Sequence, residues 1–416
     1  MNKKKGILKT KVVSNTIMLY LMTFAKLIFP LLTLPYLTRV LSEESYAVVS
    51  YVKSCMVYMQ MIIDFGFILS SVKDIVKANE DKDEIGSIVG HTFLAKIFLG
   101  IFAGIVLLVM CFYIDILKLN VLYTALSFLG IFIVSFLADF LFRGIEKMHF
   151  ITIIFLVMKG LSTIFTFILV KNDSHILLIP ILDIFSSIIA VIISFFIIWK
   201  LGIKIRIFSI KKAFHMIRDS FSYFLSNIAT TAFSALNTVL IGIYIADLTQ
   251  VAQWSLCLNI ISAIQGLYAP ICNSVYPHMI KEKNLSFIKK ILLLFMPIVT
   301  IGCLICYVQA DFVLGLVGGE KYLDGALLFK YMIPILFFSF PAQVLGWPSL
   351  GAIGKVKETT ASTIIAAVTQ VLGLVLLLLL GEFTLINLAI LRFSTELVLL
   401  LVRGGMVVRY KKLFSN

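Results

Sequence analysis

Four lysines stand within long apolar stretches of the sequence, and their chemistry is that of anion binding. They are Lys26, Lys53, Lys96 and Lys159. A basic side chain at the centre of a membrane helix costs about 2.5 to 3.5 kcal/mol, so four that faced lipid would together cost roughly 10 kcal/mol. We therefore expect these lysines to face a polar interior, where an ammonium group binds phosphate as a compact point charge.

Helical spacing adds two polar residues to this set. Lys53, Gln60 and Asp64 fall within about 20° of one line along a helix, and Asn227 begins a similar polar line later in the chain. Several such lines predict a water-filled central cavity between two helix bundles, with Gln60 and Asn227 joining the lysines as substrate-binding residues. The alternative is that Ser, Thr and Asn only join helices, and that lysines near helix ends extend to the membrane interface.

Two carboxylates, Asp64 and Glu396, are candidates for ion coupling. An ionised carboxylate at membrane depth is costly unless it is paired, so it is suited to carrying a proton or a sodium ion. Arg392 lies four residues before Glu396, and the two are equally consistent with a structural ion pair. Asp64 lies about 16 Å from Lys53 along a helix and is expected to be the freer carboxylate. The alternative for Asp64 is a structural role at the turn into Gly66.

Asp139 and Arg143 form a second predicted ion pair of structural type. They also stand four residues apart, which places them on the same helical face, one turn from each other. We expect this pair to fix the end of its helix rather than to bind substrate.

The elements that position these residues are predicted membrane spans. A hydrophobic content of 60% and a mean hydropathy of +1.04 exclude a soluble domain of 416 residues. About 20 helical residues cross a hydrocarbon layer of about 30 Å, and twelve stretches are long enough to do so. The spans are predicted at residues 14–37, 45–70, 88–113, 120–141, 150–171, 176–199, 221–246, 250–277, 288–309, 326–350, 359–381 and 384–406. The sequence therefore predicts an all-α polytopic membrane protein.

The basic residues between the spans and at the span ends predict the orientation. Twenty-six Lys and Arg residues fall on the side of the N-terminus and four on the opposite side. Because cytoplasmic loops carry the excess of Lys and Arg, both termini are expected in the cytoplasm. The net charge of +14 is then explained by topology, and no nucleic-acid partner is expected.

The longest interior segment divides the twelve spans into two sets of six. Residues 200–220 alternate apolar residues with basic ones and are typical of an amphipathic linker on the anionic inner leaflet. We predict an N-terminal six-helix lobe at residues 1–199 and a C-terminal six-helix lobe at 221–416. An even number of spans in each lobe gives a parallel pseudo-repeat.

Signals for catalysis and for metal binding are weak. Cys303 and Cys306 have CxxC spacing, but no second pair or nearby His completes a metal site. Residues 351–355 lack the spacing and the hydroxyl of a Walker A loop, and the predicted exterior loops are too short to carry catalytic groups. We expect no enzymatic activity, no cofactor and no metal.

Several motifs resemble a known family of transporters. They are Pro35-Tyr36-Leu37-Thr38-Arg39, Asp64-Phe65-Gly66-Phe67 before Lys73-Asp74-Ile75, Phe142-Arg143-Gly144-Ile145-Glu146-Lys147-Met148, and Tyr276-Pro277. Together they resemble the polysaccharide-unit flippases of the O-antigen (Wzx) type, within the multidrug/oligosaccharidyl-lipid/polysaccharide exporter superfamily. The resemblance covers nearly the whole chain and is most specific in the first five spans.

The resemblance implies a fold, a substrate and a location. The fold is two six-helix lobes, and the substrate is an undecaprenyl-diphosphate-linked oligosaccharide of the O-antigen or capsule type. This substrate moves from the inner to the outer leaflet of the bacterial cytoplasmic membrane by alternating access, as a step in the biosynthesis of lipopolysaccharide or a related polysaccharide. Membrane lipid, a polysaccharide polymerase and a chain-length regulator are the partners implied.

Two other functions remain open from the sequence. One is a cation-coupled exporter of drugs or small solutes from the same superfamily, for which acidic residues should dominate the cavity. The other is a non-transporting membrane partner of polysaccharide assembly.

Overall fold

The computed structural model describes residues 2–78, 80–231, 235–245 and 247–415. Side chains are described for these residues except 2–16, 19, 222, 226, 227, 229–231, 235 and 277. The described residues form helices and turns, with one isolated β-bridge between Asn284 and Ser415. The predicted all-α fold is confirmed.

The described residues form eighteen α-helices. Their bounds are α1 Asn2–Val40, α2 Glu43–Asp64, α3 Phe67–Lys77, α4 Lys82–Tyr113, α5 Asp115–Leu119, α6 Val121–Val134, α7 Asp139–Gly144, α8 Met148–Leu169, α9 Leu178–Lys200, α10 Ile210–Thr231, α11 Ala235–Tyr244, α12 Leu248–Gly266, α13 Tyr268–Glu282, α14 Leu285–Val308, α15 Ala310–Val317, α16 Ala326–Val344, α17 Val356–Leu379 and α18 Leu385–Arg409. A π-helical turn, Leu345–Gly351, follows α16.

Eleven helical segments within the described residues are long and apolar enough to cross a membrane. Each overlaps one of the predicted spans. The remaining predicted span, residues 221–246, is divided between α10 and α11, on either side of residues 232–234, which lie outside the described residues. The total of twelve spans and the pseudo-repeat therefore stay predictions.

Several spans that we expected to be continuous are broken. The span predicted at 45–70 ends as α2 at Asp64, and it resumes as α3 after Phe65 and Gly66, both of which have left-handed backbone conformations. Gly66 is required at this turn because its φ is 82° and because a Cβ atom would lie 2.6 Å from the Cβ of Tyr223. The span predicted at 120–141 is likewise broken between α6 and α7, at residues 135–138. Each break frees backbone polar groups, which need partners inside a membrane.

The chain divides into two compact units, Met1–Ile228 and Ala229–Asn416. The core of the first unit includes Phe93, Phe140 and Phe142, and that of the second includes Met279 and Phe340. Residues 200–220, predicted as a linker, consist of the end of α9, a non-helical segment and the beginning of α10, all within the first unit.

Candidate functional site

The first unit arranges its deep charges in two clusters. The five-charge cluster contains Lys26, Asp64, Lys96, Asp139 and Arg143, in which Asp139 interacts electrostatically with the other four. It combines three cations with two carboxylates and therefore carries one excess positive charge.

Lys96 is the buried member of the five-charge cluster. Its side chain is 6% exposed, and its Nζ donates to Asp64 Oδ1 at 2.8 Å and to the backbone oxygen of Ser135 at 2.7 Å. Asp64 is the last residue of α2, and Ser135 directly follows α6. Lys96 thus supplies a charged donor to both helix breaks, which leaves one of its three donors for any other partner.

Asp64, expected to be the freer of the two candidate carboxylates, has partners at both of its oxygens. Its second oxygen, Oδ2, accepts a hydrogen bond from Gln60 Nε2 at 3.2 Å. The sequence comparison considered only partners within the same span and missed Lys96, which approaches from α4. Gln60, predicted to bind substrate, is engaged with this carboxylate.

Lys26 is the exposed member of the five-charge cluster. Its Nζ lies 5.6 Å from the centre of the Phe155 ring, and Asp139 and Arg143 are its charged neighbours. Within the described residues, Lys26 makes no ion pair, and the predicted pair of Asp139 with Arg143 does not bring a nitrogen and an oxygen within 4.0 Å. Lys26 can therefore offer its ammonium group to an anion.

The three-charge cluster contains Lys53, Lys159 and Asp183. Lys159 Nζ lies 3.6 Å from Asp183 Oδ1, and the two side chains are 41% and 43% exposed. The same carboxylate oxygen accepts a hydrogen bond from Ser162 Oγ at 2.7 Å. Lys53 is exposed on α2 and interacts electrostatically with both partners. Two cations share one carboxylate, so this cluster also carries one excess positive charge.

The second unit contains polar residues that the sequence analysis missed. Gln370 donates to Asn237 Oδ1 at 3.0 Å and accepts from Thr395 Oγ1 at 2.7 Å, and all three residues are fully buried. A lone amide inside an apolar span was the signal available for Gln370. The side chain of Asn227, predicted to bind substrate, lies outside the described residues.

Arg392 and Glu396 lie in α18, one turn from each other. Their side chains are 8% and 9% exposed, and Arg392 Nη1 lies 2.9 Å from Glu396 Oε1. Removing either partner would leave a buried charge, which is costly. A carboxylate held this closely is poorly placed to exchange ions with solvent.

Arg403 is one of the 26 basic residues counted on the side of the N-terminus, but it is buried in the second unit. Its guanidinium donates to the backbone oxygen of Ala342 at 2.7 Å, to Ser362 Oγ at 3.0 Å and to Thr363 Oγ1 at 3.1 Å. Ala342 lies just before the π-helical turn, where Gly346 has a non-helical ψ of −114°. Arg403 thus supplies donors at a break in the helix.

We expect Arg403→Gln to lower the free energy of unfolding by about 2 to 4 kcal/mol, because two buried acceptors and a half-buried one lose a charged donor. The thermal unfolding midpoint in detergent measures this effect. Arg409→Gln is the matched control, since Arg409 is exposed at the end of the same helix. Equal midpoints for the two variants would contradict the assignment.

No metal site is evident in the part of the chain that the structure describes. No group of three or more His, Cys, Asp and Glu side chains is placed to hold an ion there, and all six cysteines are free thiols. The chemistry that the first unit offers is electrostatic attraction of an anion.

The sequence matches one family and two transporters. A family model described as "Polysaccharide biosynthesis protein" matches residues 12–283. The chain is 29% identical over 280 residues to a Shigella dysenteriae protein named "Putative O-antigen transporter", covering 67% of this chain and 69% of that protein. A protein of the same name from Escherichia coli strain K12 is 26% identical over 285 residues, covering 67% and 68%.

The fold is similar to those of two transporters of known structure. One is an inward-facing multidrug resistance MATE family transporter of the MOP superfamily, with a TM-score of 0.67, 17% identity, and 94% and 95% of the two chains covered. The other is the lipid II flippase MurJ in an inward closed conformation, with a TM-score of 0.69, 14% identity, and 95% and 87% covered. At these identities the likeness shows the fold alone.

Proposed function

Because the chain belongs to the polysaccharide biosynthesis protein family, we propose that it is a flippase for lipid-linked oligosaccharide. The substrate is an undecaprenyl-diphosphate-linked repeat unit of the O-antigen or capsule type. It moves from the inner to the outer leaflet of the bacterial cytoplasmic membrane, in which the chain is a multi-pass protein with both termini in the cytoplasm. The O-antigen transporter names of two relatives and the flippase fold support this proposal.

The excess positive charge of the two clusters is the observation that carries the proposal. Hydrocarbon opposes passage of a diphosphate and of sugar hydroxyls because it offers them no hydrogen bonds. Lys26, Lys53 and Lys159 are accessible cations at membrane depth, and an ammonium group matches a phosphate oxygen. The prenyl chain is apolar and can stay in lipid throughout.

Each member of the clusters has a distinct role in this mechanism. Lys53 and Lys26 bind the diphosphate directly. Asp183 orients Lys159 in the absence of substrate. When the diphosphate competes for Lys159, the lysine can exchange the carboxylate for the phosphate. Lys96 and Asp64 hold the two helix breaks in place and do not bind the substrate themselves. No covalent bond changes, so the energetic task is to alternate the access of these clusters between the two faces of the membrane.

A cation-coupled exporter of drugs or small solutes is less consistent with the structure. Binding of organic cations would favour an acidic excess, whereas both clusters in the first unit have a basic excess. The similarity to a MATE transporter shows only the fold.

Deletion of the chain from its bacterium tests the proposed function. We expect surface polysaccharide to be lost and the lipid-linked unit to accumulate in the inner leaflet, with both restored by the parent chain supplied in trans. Polysaccharide that persists after deletion would contradict the proposal. Lipid-linked units that reach the outer leaflet and remain unpolymerised would instead indicate a non-transporting assembly partner.

A further inference from the structure

Residues 203–209 form a strap that lies directly on α4. A methyl group at Gly86 would overlap the backbone oxygen of Lys204, and one at Gly90 would overlap that of Arg206. The backbone N–H of Arg206 also donates to the oxygen of Gly86 at 3.2 Å. Two glycines one turn apart therefore form a groove that receives the strap.

His91 and Asp83 fix the strap in this groove. His91 is 1% exposed, and its Nε2 lies 3.2 Å and 3.3 Å from the backbone nitrogens of Phe208 and Ser209. Its Nδ1 lies 2.6 Å from the backbone oxygen of Ser87, so the tautomer with the proton on Nδ1 satisfies all three contacts. Arg206 forms an ion pair with Asp83 at 3.1 Å. The segment is thus a fixed surface of the first unit.

Helix α10 continues this surface with three distinct faces. Ala213, Ile217 and Phe224 pack in a cluster with Phe65 and Leu99. A second face, adjacent to this one, presents the large exposed apolar side chains Ile210, Phe214 and Phe221, which fall within about 40° of one line. The third face is polar and includes the exposed side chains Lys211, Lys212 and Arg218.

The strap adds the same two kinds of side chain. Lys204 is exposed, and Ile207 and Phe208 are 55% and 62% exposed. The exposed carboxylate of α10, Asp219, already pairs with His215 at 3.4 Å. We call the exposed cations Lys204, Lys211, Lys212 and Arg218, together with their apolar neighbours, the basic–aromatic surface.

The apolar part of this surface is continuous with a lipid-facing part of α4. Phe214 stacks on Phe98 of α4 with ring centres 5.2 Å apart. Further along α4, Ile101 and Phe102 are 58% and 56% exposed. A lipid whose acyl chains lie along α4 can therefore place its headgroup at the cations. A soluble acidic partner would not require this apolar surface beside them.

We propose that the basic–aromatic surface is a binding site for anionic phospholipid. Its four cations bind the phosphate groups of cytoplasmic-leaflet lipids, and Ile207, Phe208 and Phe214 pack against the upper acyl chain. The site is preformed, because the groove and His91 hold the strap before any lipid arrives. It depends on the predicted cytoplasmic location of the loop and is separate from the clusters that the proposed function uses.

Native mass spectrometry of the purified full chain in detergent tests this site with phosphatidylglycerol and phosphatidylcholine as the probes. We expect the parent to prefer phosphatidylglycerol. The ratio of its affinities for the two lipids should fall at least about tenfold in the variant Lys204→Gln/Lys211→Gln/Lys212→Gln/Arg218→Gln. Glycerol phosphate, which has no acyl chains, should not compete at the same concentration.

A matched variant controls for net charge. Lys281→Gln/Lys283→Gln/Lys289→Gln/Lys290→Gln removes four exposed cations at the junction of α13 and α14 and should keep the preference. Gly86→Val retains every cation but displaces the strap, so it should weaken the preference as well.

Three outcomes would overturn the proposal. The first is a parent that shows no preference for phosphatidylglycerol. The second is a Lys204→Gln/Lys211→Gln/Lys212→Gln/Arg218→Gln variant that keeps the parental preference. The third is a control variant that loses as much of the preference as this quadruple variant does. If Gly86→Val does not fold, the two charge variants still decide the question.

Discussion

Replacing both Lys26 and Lys53 with Gln is expected to reduce export of the lipid-linked glycan by about 100-fold, with the protein still folded in the membrane. Each ammonium group makes a charge-assisted contact with the diphosphate, and loss of such a contact costs about 1.5 to 3 kcal/mol, or about tenfold or more in rate. Both side chains are exposed, so their removal leaves no buried partner unsatisfied. Surface polysaccharide and the pool of lipid-linked units measure the effect.

Two further variants separate charge from position in this experiment. Lys26→Arg and Lys53→Arg should each retain part of the export, because the charge persists while the geometry changes. Lys357→Gln removes one exposed lysine from the second unit and should export normally. Normal surface polysaccharide in the double Gln variant would rule out a role for these lysines in binding.

Replacing Lys96 with Met is expected to lower the free energy of unfolding by about 2 to 4 kcal/mol, whereas Asp64→Asn costs much less. Without Lys96, Oδ1 of Asp64 and the backbone oxygen of Ser135 each lose a charged donor at a helix break. An Asn at position 64 can still accept from Lys96. Asp139 also remains as an acidic neighbour of the buried Lys96 ammonium group. Thermal unfolding midpoints give the ranking.

The same two variants distinguish a positioning role from ion coupling. If Lys96 and Asp64 only hold the helix breaks, the Asp64→Asn variant should respond to a pH or sodium gradient as the parent does. Loss of the gradient response in that variant, with binding of the lipid-linked glycan intact, would assign ion coupling to Asp64. A Lys96→Met variant as stable as Asp64→Asn would contradict the positioning role.

Local composition was sufficient to predict most of the helical architecture. Apolar runs of membrane length predicted the eleven segments found among the described residues, because lipid requires every backbone group to be bonded within a helix. The breaks in the predicted spans were harder to predict from the sequence. Gly66 gave a signal for a turn, but residues 135–138 contain no Gly or Pro. Their break depends on Lys96, which is 39 residues from Ser135 in sequence.

The candidate site was predicted as a set of residues but not as an arrangement. Their positions within apolar stretches selected the four lysines as candidates, since only polar surroundings offset the cost of a charge in lipid. Their distribution into two clusters depends on contacts between helices, such as Lys96 with Asp64 and Lys159 with Asp183. A helical phase computed within one span cannot show such contacts. Arg403 was missed for the same reason, because its acceptors come from two other helices.

The central claim is that this chain moves a lipid-linked glycan across a bilayer by binding its diphosphate to the accessible lysines. Proteoliposomes of purified protein, loaded with a fluorescent undecaprenyl-diphosphate oligosaccharide, test it most directly when glycan that reaches the outer leaflet is quenched or cleaved from outside. We expect rapid translocation by the parent and by Lys357→Gln, and translocation near that of empty liposomes for the Lys26→Gln/Lys53→Gln variant. Translocation by the double variant at the parental rate, or none by the parent, would contradict it.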